Sequence, residues 1–522
     1  MFSVYSVSLW QIFNNEQRTT NMKSLPNLAI TLITVLLFSC AATQQTTGPE
    51  QEPATPQQQI ERALDHPALD VANVGIFVQD PKSRSVIYQQ NPHKLFMPAS
   101  NQKLITAAAA LSSLGPEYRY TTKIYADGMI TDGVLQGDLY IRGSGDPTLS
   151  GRFHDGDITR DLENWADSLS ALGIRRIEGD IIADANMFEG DRIGKGWSYD
   201  DLSYWYAAQI SALSFNDNCL DVTIVPGDSI GAPAKLSYEP ETDYITMQND
   251  LITVHADSVT QYDYHREHGT NRMRFFGKIS RSEKAIDDYI TVHNPALYTA
   301  TVFSEILAGE GITFNGEVNE VQYGNRVPEY ASMEQMVIYK SPPLSRIVEV
   351  INKKSQNFYA EQVLKTLGYE RYGKGTFDDG IRAVEAFLGG AGIDTEHLNV
   401  ADGSGLSRRN LITPFQIATV LRTMYTGSHR DVYFSSLPVG GADGTLSGRF
   451  RGTAAQHRVS AKTGYVGFVR TLSGYVKTRD DHSLIFSIMV NHYTTNTSLI
   501  NNLQDTIVTI LASHTLEELL NR

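Results

Sequence analysis

The sequence predicts an α/β protein in which one domain, built from an antiparallel sheet and helices, is split by a mostly β insertion. A helix and a hairpin are expected near the start, helical periodicity dominates after residue 344, and long strands followed by a helix end the chain. Between them, residues 118–329 carry short strand-like runs separated by Gly-Asp turns. We therefore expect residues 60–117 and 330–522 to form one domain, and residues 118–329 to form one or two inserted domains.

The first forty residues predict export. An apolar stretch over 28–38 follows Lys23, is too short for a confident membrane span, and has the plan of a secretory signal whose true start is Met22. Residues 37–40 resemble a bacterial lipobox, in which the cysteine is lipidated. We therefore predict a periplasmic lipoprotein anchored at Cys40, with ordinary signal cleavage near residues 41–42 as the alternative.

The elements that follow are predicted from composition and periodicity. Residues 41–59, rich in Gln, Thr and Pro, are expected to form a disordered tether, and a short helix is expected at 60–64. Alternating apolar residues predict a hairpin of strands 74–80 and 85–90. A helix is expected to begin at Pro98–Ser100, to continue through an alanine run and to end at Gly115.

Later segments complete the split domain. Helical periodicity covers 344–368 and 380–392, and two long antiparallel strands are expected at 459–477 and 483–493. The last predicted helix covers 501–514.

Charge and composition exclude several classes of protein. The 522 residues carry a net charge of −15, so a nucleic-acid partner is not expected. The two cysteines, Cys40 and Cys219, cannot form a disulfide framework. The thirteen histidines show no zinc-binding spacing, and we predict no catalytic metal and no cofactor.

Three distant motifs point to serine acyl transfer, and the first is Ser100-Asn101-Gln102-Lys103. Residues three apart share a helix face, so Lys103 can accept the Ser100 proton. This requires a neutral lysine, whose pKa must fall from about 10.4 to about 7. Burial and a second cation, Lys462, are the expected causes.

The second motif is Ser355-Gln356-Asn357. Ser355 and Asn357 would relay a proton to the leaving amine and donate a hydrogen bond to the substrate amide. Ser214-Phe215-Asn216 has the same pattern, but we favour Ser355 because it lies in the split domain, whereas Ser214 lies in the insertion.

The third motif, Lys462-Thr463-Gly464, lies at the start of a predicted strand. Gly464 would let a substrate approach the backbone as an added strand, and Lys462 with Thr463 would hold its carboxylate. The N–H groups of Tyr465 and Ser100 would form an oxyanion hole.

Longer strings add specificity to these motifs. They are Gly143–Pro147 (GSGDP), Gly196–Asp201 (GWSYDD), Ser211–Ser214 (SALS), Asp402–Arg408 (DGSGLSR) and Asp443–Leu446 (DGTL). With the three motifs, they make the chain resemble, from about Val74 to His514, the penicillin-binding protein 4 family of exported serine D-alanyl-D-alanine carboxypeptidases and endopeptidases.

That resemblance implies a penicillin-recognising domain of the transpeptidase and β-lactamase type, with a two-part insertion. It also implies peptidoglycan stem peptides and cross-links as substrates and β-lactam antibiotics as covalent inhibitors. By the same resemblance, Asp201 is the residue that meets the free amino group of diaminopimelate. Tyr465 stands where the family often has serine.

The predicted function is therefore that of a serine D-Ala-D-Ala carboxypeptidase and endopeptidase that forms an acyl-enzyme at Ser100. Two alternatives stay open: a β-lactamase or esterase of the same fold, and a non-catalytic peptidoglycan-binding lipoprotein.

Overall fold

The computed structural model describes residues 54–321 and 328–521. The predicted signal peptide, the predicted lipidation site Cys40 and residues 41–53 of the predicted tether lie outside these ranges. Within the described ranges, no helix has both the length and the apolar character needed to cross a membrane.

Strands occur in both the split domain and the insertion. In chain order they are β1 Asn73–Gln79, β2 Val86–Gln90, β3 Thr121–Thr131, β4 Val134–Arg142, β5 Arg176–Ile177, β6 Ile181–Asp184, β7 Cys219–Val225, β8 Lys235–Glu239, β9 Thr246–Val254, β10 Gln261–Arg266, β11 Arg272–Ser280, β12 Ile286–Thr291, β13 Thr313–Phe314, β14 Val318–Glu320, β15 Glu334–Lys340, β16 Val459–Val466, β17 Val469–Lys477 and β18 Ser483–Asn491.

Most of the α-helices lie in the split domain. In chain order they are α1 Pro56–Leu64, α2 Gln102–Leu114, α3 Arg160–Ala171, α4 Pro295–Gly309, α5 Leu344–Lys353, α6 Asn357–Tyr372, α7 Phe377–Gly390, α8 Pro414–Thr426, α9 Arg430–Ser435, α10 Thr497–Ser513 and α11 Leu516–Leu520.

Strands from both ends of the chain form one antiparallel sheet. Its order among the described residues is β16-β17-β18-β1-β2, because β1 pairs with β18 from Asn73↔Asn491 to Gln79↔Ile485. Helix α8 contacts β1 and β18, and α10 contacts β17. The sheet is buried on both faces: Ile76 and Val78 pack in one apolar cluster with residues of α10, while Phe77 packs in another with residues of α2.

The inserted region builds separate sheets. In the described residues, β9–β11 form one sheet, β7, β8 and β12 another, and β3–β6 with β13–β15 a third. Strand β15 lies beyond residue 329, the predicted end of the insertion, yet it pairs with β3. The inserted sheets thus include residues up to Lys340.

Three local expectations were wrong. Residues 56–59, assigned to the tether, form the first turn of α1 because Thr55 and Gln58 cap that helix reciprocally. The strand expected over 459–477 is two strands, because Phe468 takes a left-handed backbone (φ 68°) that turns the chain between β16 and β17. The last long helix begins at Thr497 rather than Asn501, since Asn496 caps it.

The sheet also fixes the turn that carries the first motif. A 3₁₀ turn, Ala99–Asn101, precedes α2 and contacts β16 and β17. Asn101 Nδ2 donates to the backbone oxygen of Lys462 at 2.7 Å, and Thr471 Oγ1 donates to that of Pro98 at 2.8 Å. The first and third motifs are thereby held side by side.

Candidate active site

One cleft brings the three sequence motifs together. It has a volume of about 260 Å³ and lies along β16, which is an edge strand of the five-stranded sheet. Its lining residues are Ser100, Trp205, Tyr206, Lys354, Ser355, Asn357, Gly405, Leu406, Thr445, Thr463, Tyr465, Val466 and Arg470.

Ser100 and Lys103 meet as their spacing predicted. Lys103 Nζ donates to Ser100 Oγ at 3.0 Å, to Asn357 Oδ1 at 2.6 Å and to the backbone oxygen of Ser404 at 2.8 Å. The lysine is fully buried, whereas Ser100 is half-buried and lines the cleft. This is the arrangement of a nucleophile facing the substrate with a base behind it.

Burial is the main cause of the electrostatic state of Lys103. Removal from water lowers the pKa of its ammonium to about 7, although the charges of Glu361 and Asp402 act in the opposite direction. A substantial fraction of Lys103 is therefore neutral near pH 7 and able to accept a proton. Burial, rather than the second cation that the sequence suggested, is the largest cause of this shift.

The cation of the third motif contacts the serine of the second. Lys462 Nζ donates to Ser355 Oγ at 2.7 Å and to the backbone oxygen of Thr463 at 2.8 Å. Burial, followed by the charges of Lys103 and Arg470, lowers the pKa of Lys462 well below its ordinary value. The Lys462 ammonium is thus a stronger acid than that of an ordinary lysine, and it lies in contact with the Ser355 hydroxyl.

Ser355 and Asn357 occupy the joint between α5 and α6. Ser355 has a left-handed backbone (φ 58°), a conformation uncommon for a non-glycine residue. Asn357, the first residue of α6, receives the hydrogen bond from Lys103 and donates from Nδ2 to the backbone oxygen of Tyr206 at 2.8 Å. Its carboxamide therefore ties the base to the wall of the cleft.

Gly464 is required by close packing. A Cβ at this position would lie 2.1 Å from Thr471 Oγ1 and 3.0 Å from the Ser100 nitrogen. We expected the glycine to make room for a substrate. The Thr471 hydroxyl of β17 and the turn that holds Ser100 together leave no space for a side chain.

The oxyanion hole expected at Tyr465 is consistent with the strand geometry. The N–H of Ala461 points away from β17, because it donates to the oxygen of Pro438 at 3.0 Å. Alternate residues of an antiparallel strand point their N–H groups to the same side, so the N–H of Tyr465 also points to the open edge of the sheet. The Tyr465 side chain lies against Arg470, 5.5 Å from its guanidinium carbon to the ring centre.

Thr463 faces a second threonine across the cleft. Its hydroxyl donates to Thr445 Oγ1 at 2.8 Å, and both residues line the cavity. Two hydroxyls beside Lys462 suit a carboxylate.

Asp201 lies beside the cleft rather than in its wall. Tyr206 donates from its hydroxyl to Asp201 Oδ1 at 3.0 Å, and Tyr206 itself lines the cavity. Burial raises the pKa of Asp201, while that hydrogen bond and the charge of Arg408 oppose the rise. A substrate group that extends beyond Tyr206 would therefore meet this carboxylate.

The rival pattern Ser214-Phe215-Asn216 is not part of this cleft. Ser214 is buried and donates to the backbone oxygen of Ser211 at 2.8 Å. It accepts a hydrogen bond from Gln362 of α6 at 3.4 Å, so the segment supports the helix that carries Asn357.

The sequence did not indicate a role for several residues of the site. Glu361 accepts hydrogen bonds from the N–H groups of Gly403 and Ser404 and thereby orients the Ser404 oxygen that Lys103 contacts. Asp402 accepts from Gly405, Ser407, Asn410 and Trp197 and shapes the same loop. The DGSGLSR string was the available signal, since its residues turn out to surround the base.

The fold and the cleft together define the class of serine acyl-transfer enzymes. A family profile described as the D-Ala-D-Ala carboxypeptidase 3 (S13) family matches residues 56–514. The chain belongs to this family and is a serine-type D-Ala-D-Ala carboxypeptidase.

Individual relatives agree with this assignment. The chain is 34% identical over 470 residues to a D-alanyl-D-alanine carboxypeptidase of Actinomadura sp. (strain R39), covering 88% of this chain and 84% of the relative. It is 28% identical over 436 residues to D-alanyl-D-alanine carboxypeptidase DacB of Haemophilus influenzae. That match covers 81% of this chain and 86% of the relative.

A solved structure, penicillin binding protein 4 (dacB) from Haemophilus influenzae, superposes with a TM-score of 0.76 at 25% identity. The superposition covers 87% of this chain and 99% of that one. The family resemblance, the fold class and the reaction class predicted from the sequence are confirmed. As a peptidoglycan-acting member of this family, the chain works outside the cytoplasm.

Proposed function

We propose that the enzyme cleaves D-alanyl-D-alanine termini and D-alanyl cross-links of peptidoglycan peptides through an acyl-enzyme at Ser100. The observation that carries this proposal is the contact of a fully buried Lys103 with Ser100 Oγ at 3.0 Å. Burial lowers the pKa of Lys103 to about 7, so its neutral form is available at physiological pH.

In the first step, Lys103 takes the proton from Ser100 Oγ, which attacks the carbonyl carbon of the scissile amide. The N–H groups of Ser100 and Tyr465 stabilise the oxyanion. The C–N bond then breaks, and the leaving amine takes a proton delivered through Ser355 from Lys462. The 2.7 Å contact between these two side chains supports that path.

In the second step, water attacks the ester and releases Ser100. Before this attack, Lys103 releases to solvent the proton that it took from Ser100, and Lys462 regains one from solvent. Neutral Lys103 then accepts a proton from the attacking water and returns it to Ser100 Oγ as the ester bond breaks. Asn357 holds Lys103 through its Oδ1 atom, so both steps depend on the same hydrogen bond.

Substrate would bind as an added strand along the edge strand β16. Lys462, Thr463 and Thr445 hold the carboxylate beside the scissile amide, while Gly464 keeps the strand close to Ser100. At the other end, Asp201 attracts the free ammonium of diaminopimelate, a match of opposite charges.

The decisive experiment uses a fluorescent penicillin and a pentapeptide muropeptide. Wild-type protein should keep a lasting label and release D-alanine, whereas Ser100→Ala should lose both by at least about 10³-fold. Thermal unfolding shows whether the variant is folded. Rapid penicillin hydrolysis without a lasting label would indicate a β-lactamase, and undiminished D-alanine release from Ser100→Ala would overturn the mechanism.

We also propose that the N-terminal segment determines where the enzyme is located. The signal pattern of residues 1–40 and the lipobox-like end at Cys40 support a periplasmic lipoprotein. A Cys40→Ala variant should move from the membrane fraction to the soluble fraction. A variant that stays in the membrane fraction would argue against lipidation at this residue.

A further inference from the structure

A second cavity lies next to the catalytic cleft and shares two lining residues with it. This side cavity has a volume of about 390 Å³, and Trp205 and Lys354 line both spaces. Its other lining residues include Arg152, Asp217, Gln356 and Ile158. The two spaces are therefore neighbours separated by a common wall.

The direction of the substrate follows from contacts along β16. Lys462, near the middle of this strand, contacts Ser355 at 2.7 Å. At the far end, Arg408 Nη1 donates to the backbone oxygen of Gly467 at 3.0 Å, and the charge of Arg408 acts on Asp201. The acyl part of the substrate thus extends toward Gly467, and the leaving group lies at the Ser355 end.

The residues on either side of Ser355 line the side cavity. Lys354 precedes the proton donor to the leaving amine, and Gln356 follows it. A peptide attached to that amine would meet the side cavity first. A single D-alanine leaving group has no use for a further 390 Å³ of space, whereas that volume is in the range of sites that hold larger ligands.

Contacts among the polar groups of the side cavity hold them in place, and some of their atoms have no hydrogen-bond partner among the described residues. Gln356 Nε2 donates to Asp217 Oδ2 at 2.8 Å, and Arg152 forms an ion pair with the same carboxylate. Asp217 Oδ1 and Gln356 Oε1 are buried and have no hydrogen-bond partner among the described residues. As whole residues, Asp217 and Gln356 are at most 9% exposed.

This chemistry suits a peptide that carries both N–H donors and carboxylates. The two unpartnered oxygens accept from N–H groups, and Lys354, which is exposed at the common wall, attracts carboxylate. A stem peptide linked through a D-alanyl cross-link offers both kinds of group. A terminal D-alanine offers only the N–H of the scissile amide and its own carboxylate.

We propose that the side cavity binds the leaving stem peptide of a D-alanyl cross-link, an inference that rests on the proposed function. It is the site that would distinguish cleavage of cross-links from trimming of pentapeptide ends. Cross-linked substrate occupies both spaces, and pentapeptide occupies only the catalytic cleft.

The test compares two substrates in one assay: a cross-linked muropeptide dimer and a monomeric pentapeptide muropeptide. Ile158→Trp, which fills the side cavity, should lower kcat/KM for the dimer about tenfold and leave D-alanine release from the pentapeptide within about twofold. Ile338→Trp is the matched control, because Ile338 is 51% exposed on β15 and lines neither space. It should change neither rate.

A second pair of variants keeps the test independent of how Ile158→Trp folds. Lys354→Glu should raise KM for the dimer about tenfold more than KM for the pentapeptide, because it reverses the charge that attracts carboxylate. Lys354→Arg, which keeps the charge, should retain the wild-type ratio of the two substrates.

Three outcomes have distinct meanings. Equal losses on both substrates, or none on the dimer, would overturn the side-cavity assignment. Wild-type protein that cleaves pentapeptide but not the dimer would overturn it too, while leaving the carboxypeptidase mechanism intact. Wild-type protein that cleaves neither substrate and keeps no penicillin label would instead refute the proposed function.

Discussion

Two segments of the chain share the pattern Ser-x-Asn, and their surroundings differ. Both contain a residue with a left-handed backbone, Asn216 (φ 47°) in the first and Ser355 (φ 58°) in the second. The hydroxyl of Ser214 bonds to a backbone oxygen, whereas that of Ser355 accepts from the Lys462 ammonium. The difference teaches that a short motif acquires a chemical role from the charged groups the fold places next to it.

The two segments are also in contact. Gln356, between Ser355 and Asn357, donates to Asp217, which directly follows the first segment. Gln362 of α6 donates to both the Ser211 oxygen and Ser214 Oγ. The inserted segment thus braces the catalytic one, so changes in the first should affect stability and changes in the second should affect chemistry.

The largest effect is expected where the second segment meets the base. Asn357→Ala removes the hydrogen bond from Lys103 to Asn357 Oδ1 and the one to the Tyr206 oxygen. Because Lys103 loses a partner that orients it, acylation by penicillin should slow by about 10³-fold. Stopped-flow or gel-based labelling measures this rate. An acylation rate within threefold of wild type would contradict the positioning of Lys103 by Asn357.

A smaller effect is expected from the two serines, and they test the comparison directly. Ser355→Ala should lower the acylation rate by about 10²-fold, because the proton path from Lys462 to the leaving nitrogen is interrupted. Ser214→Ala should leave that rate within twofold. Instead, it should lower the free energy of unfolding by about 1–3 kcal/mol, because the buried groups that bond to the Ser214 hydroxyl would be left without a hydrogen-bond partner.

Denaturant unfolding and penicillin labelling of the same two preparations provide both readouts. If Ser214→Ala slowed acylation as much as Ser355→Ala, the two segments would not differ as their contacts indicate.

The smallest effect at neutral pH is expected from a change of charge. Lys103 must be neutral to act as a base, so acylation should rise as pH increases through about 7, the pKa to which burial lowers this group. Asn357→Asp places a negative charge 2.6 Å from the ammonium, favours its protonated form and raises its pKa. The midpoint of the pH profile should therefore move upward by about one unit, which lowers the neutral fraction of Lys103, and with it the acylation rate, roughly fivefold at pH 7.

The measurement is the acylation rate between pH 5 and 10 for both proteins. A profile of wild-type protein that falls with rising pH, or an Asn357→Asp profile with an unchanged midpoint, would remove Lys103 from the role of base.

Local patterns predicted much of this molecule. The spacing of Ser100 and Lys103 places them on one helix face, and the alternation in β1 predicts strands that pack on both sides. The S-x-x-K, S-x-N and K-T-G motifs were sufficient to indicate the reaction class. The predicted boundaries failed where capping or turn chemistry decided them, as at Thr55 and Phe468.

Other parts of the site had no local signal. In the sequence, nothing distinguishes Glu361 from an ordinary helical glutamate. In the structure, it orients the Ser404 oxygen that contacts Lys103. The side cavity depends on residues as distant in sequence as Arg152 and Gln356, whose arrangement follows from the packing of the insertion against α6. The position of Asp201 behind Tyr206 likewise depends on how the insertion folds.

By itself, the sequence determined the family, the reaction class and the pairing of Ser100 with Lys103, because these depend on residue identity and on one turn of helix. Only the tertiary structure decided that Lys103 is buried and that Ser355 meets Lys462 across 107 residues of sequence. The same packing decided that Asn357 reaches Lys103 across 254 residues of sequence. The physical reason is that a lysine loses its charge only when distant segments exclude water from it together, and no local pattern records that packing.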